Sequence, residues 1–276
     1  MIRLGSSSYI IEAGLIENVR YLAAFIDDVE LVLFETPTHS NIPTQGELAE
    51  LNALAKEHNL TYTVHLPMDT YPGSLDETVR SSSVEFITRV LELTQVLNPF
   101  GSILHFTPEG YGPIPALDIE AWKSQLYRSS EEILQLSGVN PRHIGIETLS
   151  YPLALVDSII EEFDFGVTID IGHLHLLGYD VNDHLTRYLD RSRIFHLHGI
   201  EEGVDHKGLD RGDRVKIGEF LDVIERIDDS VERVITLEVF DQGSFEGSMG
   251  VLHERRKEKK SDVGNRGRTK WEVLLG

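Results

Sequence analysis

Eight short runs of β-branched and apolar residues recur along this chain, each separated from the next by a longer segment of different period. They are IRLGS (2–6), VELVLFE (29–35), TYTVHL (61–66), SILHF (102–106), HIGIE (143–147), GVTID (166–170), RIFHLHG (193–199) and VITLEVF (234–240). Between them, residues 45–59, 76–95, 119–136 and 217–227 place apolar side chains at helical spacing; in 76–95 these are Val79, Val84, Phe86, Ile87, Val90, Leu91 and Leu93. Strands that are apolar almost throughout, alternating with amphipathic helices, imply a parallel sheet covered by helices. Eight such units predict an α/β protein of the (β/α)8, or TIM-barrel, type, and 276 residues is a fitting length for one. No GxGxxG follows the first run, which removes the main support for an open dinucleotide-binding sheet. No Pro/Gly/Ser-rich linker divides the chain, so residues 1–252 are expected to form a single barrel. A weaker helical segment at 245–252 runs into a charged tail, 253–276, expected to be solvated or frayed.

Composition limits what such a barrel can hold. The chain has no cysteine, so disulfides and thiolate metal sites are excluded and any metal must be bound by nitrogen and oxygen. That favours zinc, manganese, iron or magnesium over soft-metal or cluster chemistry. The formal charge of −21, from 46 acidic and 25 basic residues, argues against a nucleic-acid partner, because phosphate neutralisation needs a basic groove. There is no run of about 18 apolar residues, and MIRLGSSSYI has no basic region leading into an apolar one. A cytoplasmic protein without a membrane segment is expected.

Barrel active sites lie at the C-terminal ends of the strands, and here the strands end repeatedly in residues able to bind metal. Glu35, His65, His105, Glu147 and Asp170 close successive runs; His173 follows Asp170 by three, the seventh run carries His196 and His198, and the eighth carries Glu238. Side chains two apart share a face of a strand. Glu147 shares its face with Gly145, Asp170 with Thr168 and Gly166, and Glu238 with Thr236, while the opposite faces carry Ile144, Ile146, Val167, Ile169, Ile235 and Leu237. The bulky apolar faces must meet the helices, so the carboxylates point to the barrel axis. Three carboxylates converging there would repel one another unless a cation sat between them. A divalent metal is the simplest resolution.

These residues form a recognisable pattern. Glu147, Asp170, His198 and Glu238 resemble the Glu–Asp–His–Glu metal set of the xylose isomerase-like barrels, which include sugar epimerases and endonuclease IV. TIDIGHLHLLGYD (168–180) is similar to the endonuclease IV motif in which an Asp and a His three residues later bind different zinc ions. His65 in TVHLP and His105 in LHFTP resemble that family's early ligands, and His206 in VDHKGL its late loop ligand. The family pattern there is Asp-x-His, whereas here Asp205 directly precedes His206. GSSSYI, DDVELVLFET, LTYTVHLP, IETLSYP, DIGHLHLLGYDV, FHLHG, DHKGL and TLEVF together look like the cobamide-remodelling phosphodiesterases (the CbiR group) of the same superfamily.

The resemblance implies hydrolysis of the phosphoribosyl bond in the nucleotide loop of a cobamide, giving cobinamide phosphate. It implies two or three divalent ions (zinc, manganese or iron) held by His65, His105, Glu147, Asp170, His173, His198, His206 and Glu238. Two or more ions about 3.5–4 Å apart suit phosphodiester hydrolysis, where attacking and leaving oxygens both need charge stabilisation. Glu147, Glu238 and His173 are expected to act at the reacting groups. His196, one layer deeper than His198, is read as a supporting or substrate-side residue; Glu35, Ser7, Tyr9 and Tyr151 are read as substrate contacts. Two other readings stay open. A one-metal sugar isomerase or epimerase would use Glu147 and Glu238 for proton transfer; an abasic-site endonuclease is disfavoured by the charge.

Overall fold

The protein is described by a computed structural model, which covers residues 1–108, 118–227 and 229–262. Its strands are β1 (Ile2–Ser7), β2 (Asp28–Val32), β3 (Thr61–His65), β4 (Gly101–Leu104), β5 (Ile144–Glu147), β6 (Gly166–Asp170), β7 (Ser192–Leu197), β8 (Gly199–Glu201), β9 (Val204–Lys207) and β10 (Arg233–Leu237). Its helices are α1 (Leu15–Leu22), α2 (Gln45–His58), α3 (Glu77–Thr94), α4 (Ile119–Ser137), α5 (Asp157–Glu162), α6 (Ile171–Leu177), α7 (Val181–Tyr188), α8 (Arg214–Arg226) and α9 (Gln242–Asp262). Eight strands close a parallel barrel in the order β1-β10-β7-β6-β5-β4-β3-β2, and β8 and β9 form a separate hairpin. Each expected run therefore contributes one barrel strand. Among the described residues, no helix is long and apolar enough to cross a membrane.

Local signals set the helix ends. Thr44 and Glu47 form a reciprocal capping box at the start of α2, and Asn59 ends that helix in a left-handed conformation at φ 53°. Asp76 and Asp118 cap α3 and α4 through their side chains. α9 runs ten residues past 252, because Arg255 and Lys259 reach Asp222 on α8 and hold it to its neighbour. The remainder of the expected tail, 263–276, lies outside the described residues.

Strand alternation divides the core. Val29, Leu31, Tyr62, Val64, Ile144, Ile146, Val167, Ile169, Phe195, Leu197, Ile235 and Leu237 face the helices and are buried in one large apolar cluster. Inside the barrel, a small separate cluster of Phe100, Ile103, Ile194 and Val234 plugs the N-terminal end. Above that plug the interior turns polar: Glu30, Thr63, His65, Glu147, Thr168, Asp170, His196, Thr236 and Glu238 are all buried. Stability thus resides in the outer layer and the plug, and the upper interior is left to chemistry.

Candidate metal centre

Among the described residues, three groups of donors meet at the C-terminal mouth. His65, His105 and Glu147 form one; Glu147, Asp170, His196 and Glu238 a second; Asp170, His173, His198 and His206 a third. In each, one donor atom per residue lies within 4.8 Å of all the others. Glu147 belongs to two groups and divides its oxygens accordingly. Oε2 lies 2.7 Å from His105 Nε2 and 3.5 Å from His65 Nε2, whereas Oε1 lies 3.4 Å from His196 Nδ1 and 3.6 Å from His173 Nδ1. Asp170 links the second and third groups. It also caps α6, with Oδ1 accepting the His173 backbone N–H at 2.8 Å, so the turn from β6 into α6 holds His173 beside it. The second group is completely buried, while His105, His173 and His206 are partly open to solvent.

The donor set fits divalent cations. Asp170 Oδ2, Glu238 Oε2, His65 Nε2, His196 Nδ1 and His198 Nε2 are buried without a hydrogen bond of good geometry among the described residues. His196 Nδ1 nevertheless lies 2.9 Å from Glu238 Oε2. Buried polar atoms are almost always paired, and a crowd of unpaired donors facing one point is what ligands of a shared ion leave behind. The electrostatics agree. Burial alone would raise the carboxyls, but His105 and His196 hold Glu147 well below its ordinary range, and His173 and His198 do the same for Asp170. Burial would likewise depress the imidazoles, yet the hydrogen bond to Glu147 and the charges of Glu30 and Glu238 lift His65 to about 9, and Glu238 lifts His206 to about 9. Protons on the imidazoles thus balance a cluster of anionic carboxylates, the task a cation would take over.

The family's sequence profile, described as a xylose isomerase-like TIM barrel, matches residues 19–260. The chain belongs to the xylose isomerase-like TIM-barrel family. The fold is shared with solved structures at low identity. A D-tagatose 3-epimerase-like protein is 21% identical, with TM-score 0.71 over 95% of this chain and 100% of its own. A 3-keto-D-glucoside 4-epimerase from E. coli is 17% identical, with TM-score 0.69 over 93% and 100%. Endonuclease IV from Thermus thermophilus is 19% identical, with TM-score 0.66 over 91% and 99%. No curated protein matches the sequence significantly.

Within this xylose isomerase-like barrel some expected positions shift. His196, rather than His198, stands among Glu147, Asp170 and Glu238; His198 joins the adjoining group. Both imidazoles lie on the inward face, but β7 ends at Leu197, and the His198 ring beyond it lies over Gly172, where a Cβ would fall 2.1 Å from Cε1. Glu35 is outside the cluster. β2 stops at Val32, the Asn41 side chain bonds the Val32 carbonyl and the Phe34 N–H, and Glu35 is exposed and paired with Arg89. Tyr151 is fully buried with its hydroxyl donated to the Phe106 carbonyl at 3.0 Å, and the Ser7 hydroxyl is donated to the Val239 carbonyl, so neither polar group is free for a substrate. Tyr9 is 49% exposed and packs edge-on to Phe34.

Glu30 escaped the sequence reading, and Asp205 was noted there only as a departure from the Asp-x-His spacing. Glu30, in the middle of β2, is fully buried against His196; a charged residue inside an apolar strand was the available signal. Asp205 lies 3.8 Å from His173 Nε2 and 3.2 Å from His206 Nδ1. Adjacent strand residues ordinarily face opposite ways. Here a register shift in the β8–β9 hairpin and a left-handed His206 at φ 53° bring both side chains to the same cluster.

Proposed function

We propose that this chain is a metal-dependent phosphodiesterase that hydrolyses the nucleotide loop of a cobamide. The observation that carries the hydrolase reading is the pair of imidazole-rich groups flanking the buried carboxylate quartet. A sugar isomerase needs one ion and four ligands, and Glu147, Asp170, His196 and Glu238 would suffice for it. The further donors His65, His105, His173, His198 and His206 suit a multinuclear site, with Glu147 and Asp170 each shared between two groups. The cobamide half of the reading rests on the motif resemblance of GSSSYI, IETLSYP, DIGHLHLLGYDV and DHKGL.

Bound ions would supply Lewis acidity, stabilising charge on phosphoryl oxygens and acidifying water in the site. The protein's own residues set the rest. The buried quartet is walled off from solvent, whereas His105, His173 and His206 form the open side at which a phosphodiester would arrive. The His65 Nδ1–H donates to the Leu66 carbonyl at 2.9 Å, which turns Nε2 toward Glu147, and the His173 Nδ1–H donates to the Thr148 carbonyl at 3.0 Å, which leaves Nε2 on the side of Asp205. Both rings are thereby fixed in orientation, and no side-chain nucleophile is required.

The test is incubation of adenosylcobalamin or pseudocobalamin with protein loaded with zinc, manganese or iron, followed by mass analysis. Cobinamide phosphate is the expected product, and intact cobamide with every ion would overturn the substrate assignment. A second reading, sugar epimerisation, is favoured by the epimerases among the similar folds. It requires full activity on a ketose after His65→Ala and His105→Ala, with one ion per chain. Nicking of an abasic duplex at physiological salt would instead point to endonuclease chemistry.

A further inference from the structure

The buried contact between Glu30 and His196 crosses the barrel from β2 to β7, strands that are not neighbours in the sheet. Oε2 of Glu30 lies 3.0 Å from Nε2 of His196, and both side chains are 0% exposed. The other ring nitrogen, Nδ1, faces Glu238 Oε2 at 2.9 Å, Glu147 Oε1 at 3.4 Å and Asp170 Oδ2 at 3.7 Å. An imidazole that donates from one nitrogen presents a lone pair at the other.

His65 follows the same rule with the nitrogens reversed: the Leu66 carbonyl takes its Nδ1–H, and Nε2 lies 3.5 Å from Glu147 Oε2. No backbone carbonyl serves Nε2 of His196 among the described contacts; Glu30 does. Stability gives little reason for the arrangement. A buried ion pair is a weak stabilising device, and Glu30 keeps its second oxygen, Oε1, buried without a hydrogen bond among the described residues.

We propose that Glu30 is a positioning residue: by accepting the Nε2–H of His196 it fixes the tautomer and ring orientation that aim Nδ1 at an ion between Glu147, Asp170 and Glu238. The proposal rests on the reading of this cluster as a metal centre and is independent of the substrate. Outer carboxylates of this kind are typically worth about 10–100-fold in metal affinity.

The experiment uses full-length protein stripped of metal, with Glu30→Leu and Glu30→Gln as variants. Zinc alone is the probe, its affinity measured by chelator competition and its stoichiometry by elemental analysis. Glu30→Leu should weaken one ion by about 10–100-fold, and the thermal midpoint of the metal-free protein is read beside it. Glu30→Gln keeps an acceptor oxygen and should retain most of the affinity. In the 15N-histidine NMR spectrum of the zinc-loaded protein, one protected Nε2–H resonance should be present in wild type and Glu30→Gln and missing in Glu30→Leu. Wild-type zinc affinity in Glu30→Leu would overturn the proposal. So would an equal loss of zinc affinity in Glu30→Leu and Glu30→Gln, since that marks the lost charge rather than the acceptor that fixes the ring. Wild-type protein that binds no zinc would instead remove the metal centre itself, a result separable from either.

Discussion

Metal uptake at the group formed by His65, His105 and Glu147 should be steeply pH-dependent well above the range usual for histidine. Burial opposes charge on His65, but Glu147, Glu30 and Glu238 outweigh it and lift the imidazole from 6.5 to about 9 in the metal-free protein. A metal requires the neutral ring. With a value near 9, roughly 1% of His65 is neutral at pH 7, and each unit of pH below 9 costs about tenfold in apparent affinity, or about 1.4 kcal/mol. The logarithm of the zinc affinity should therefore still be climbing between pH 7 and 8.5, where an ordinary histidine would have levelled off. Calorimetry at pH 7.5 in buffers of different ionisation enthalpy counts the protons released, and His65→Gln should release about one fewer than wild type. An affinity that is flat above pH 7, together with equal proton counts in the two proteins, would refute the reasoning: Glu147 would then not be holding a proton on His65 that the ion must displace.

Three substitutions test the supporting structure. In Gly172→Ala the new methyl would lie 2.1 Å from the His198 ring, which the His206 backbone N–H holds through Nδ1 at 3.0 Å. A loss of about 1–3 kcal/mol in urea unfolding and a lower ion count are expected; unchanged values would mean the ring swings aside freely. Tyr151→Phe removes the bond to the Phe106 carbonyl and should cost about 1 kcal/mol with KM unaltered, whereas a raised KM at full stability would restore Tyr151 as a substrate contact. Arg80, buried between α3 and α4, bonds Glu77, Glu132 and Ser129. Arg80→Met should cost on the order of 2 kcal/mol by thermal unfolding, less than breaking a fully buried pair, because both carboxylates keep water and Arg128; a neutral change would show that Arg80 contributes packing alone.

The barrel was legible because its strands carry their signal locally: four to six residues with one apolar face each, repeated eight times. The helices α1, α5, α6 and α7 were not read. Each has eight residues or fewer, too short for a 3.6-residue period to declare itself. The β8–β9 hairpin was missed because GIEEGVDHK (199–207) is polar and follows no period. At the site, alternation indicated which side chains face inward, hence Glu147, Asp170 and Glu238. Strand position put His196 one layer deeper than His198, but alternation could not tell which of the two layers meets the carboxylates. That is decided by where β7 stops and by the space over Gly172. The run through Glu35 read as one strand because Leu33 and Phe34 are apolar, yet Asn41 takes over the hydrogen bonds that continued pairing would have needed. The carboxylate of β2 that reaches the interior is Glu30, hidden in mid-strand.

The same charges that prepare the site for cations make the metal-free barrel respond to pH with the opposite sign from the loaded one. His65 and His206 have values raised to about 9 in the folded chain against 6.5 when unfolded. A raised imidazole stabilises the fold fully below 6.5, and that contribution disappears as pH rises through 9. For His65, a difference of 2.5 units corresponds to roughly 3 kcal/mol. The depressed carboxylates Glu147, Asp170 and Glu238 contribute in the other direction only at acid pH, where protonation removes their pairing. Between pH 6.5 and 9, then, metal-free protein should lose thermal stability. Protein in excess zinc should hold or gain over the same interval, because affinity rises with pH and an ion at a thousand times its dissociation constant adds about 4 kcal/mol. Thermal unfolding of both forms at half-unit steps of pH measures the divergence. Parallel curves would mean that the imidazole protons and the ions do not compete for one cluster, and the three donor groups would then be neighbours without being a shared site.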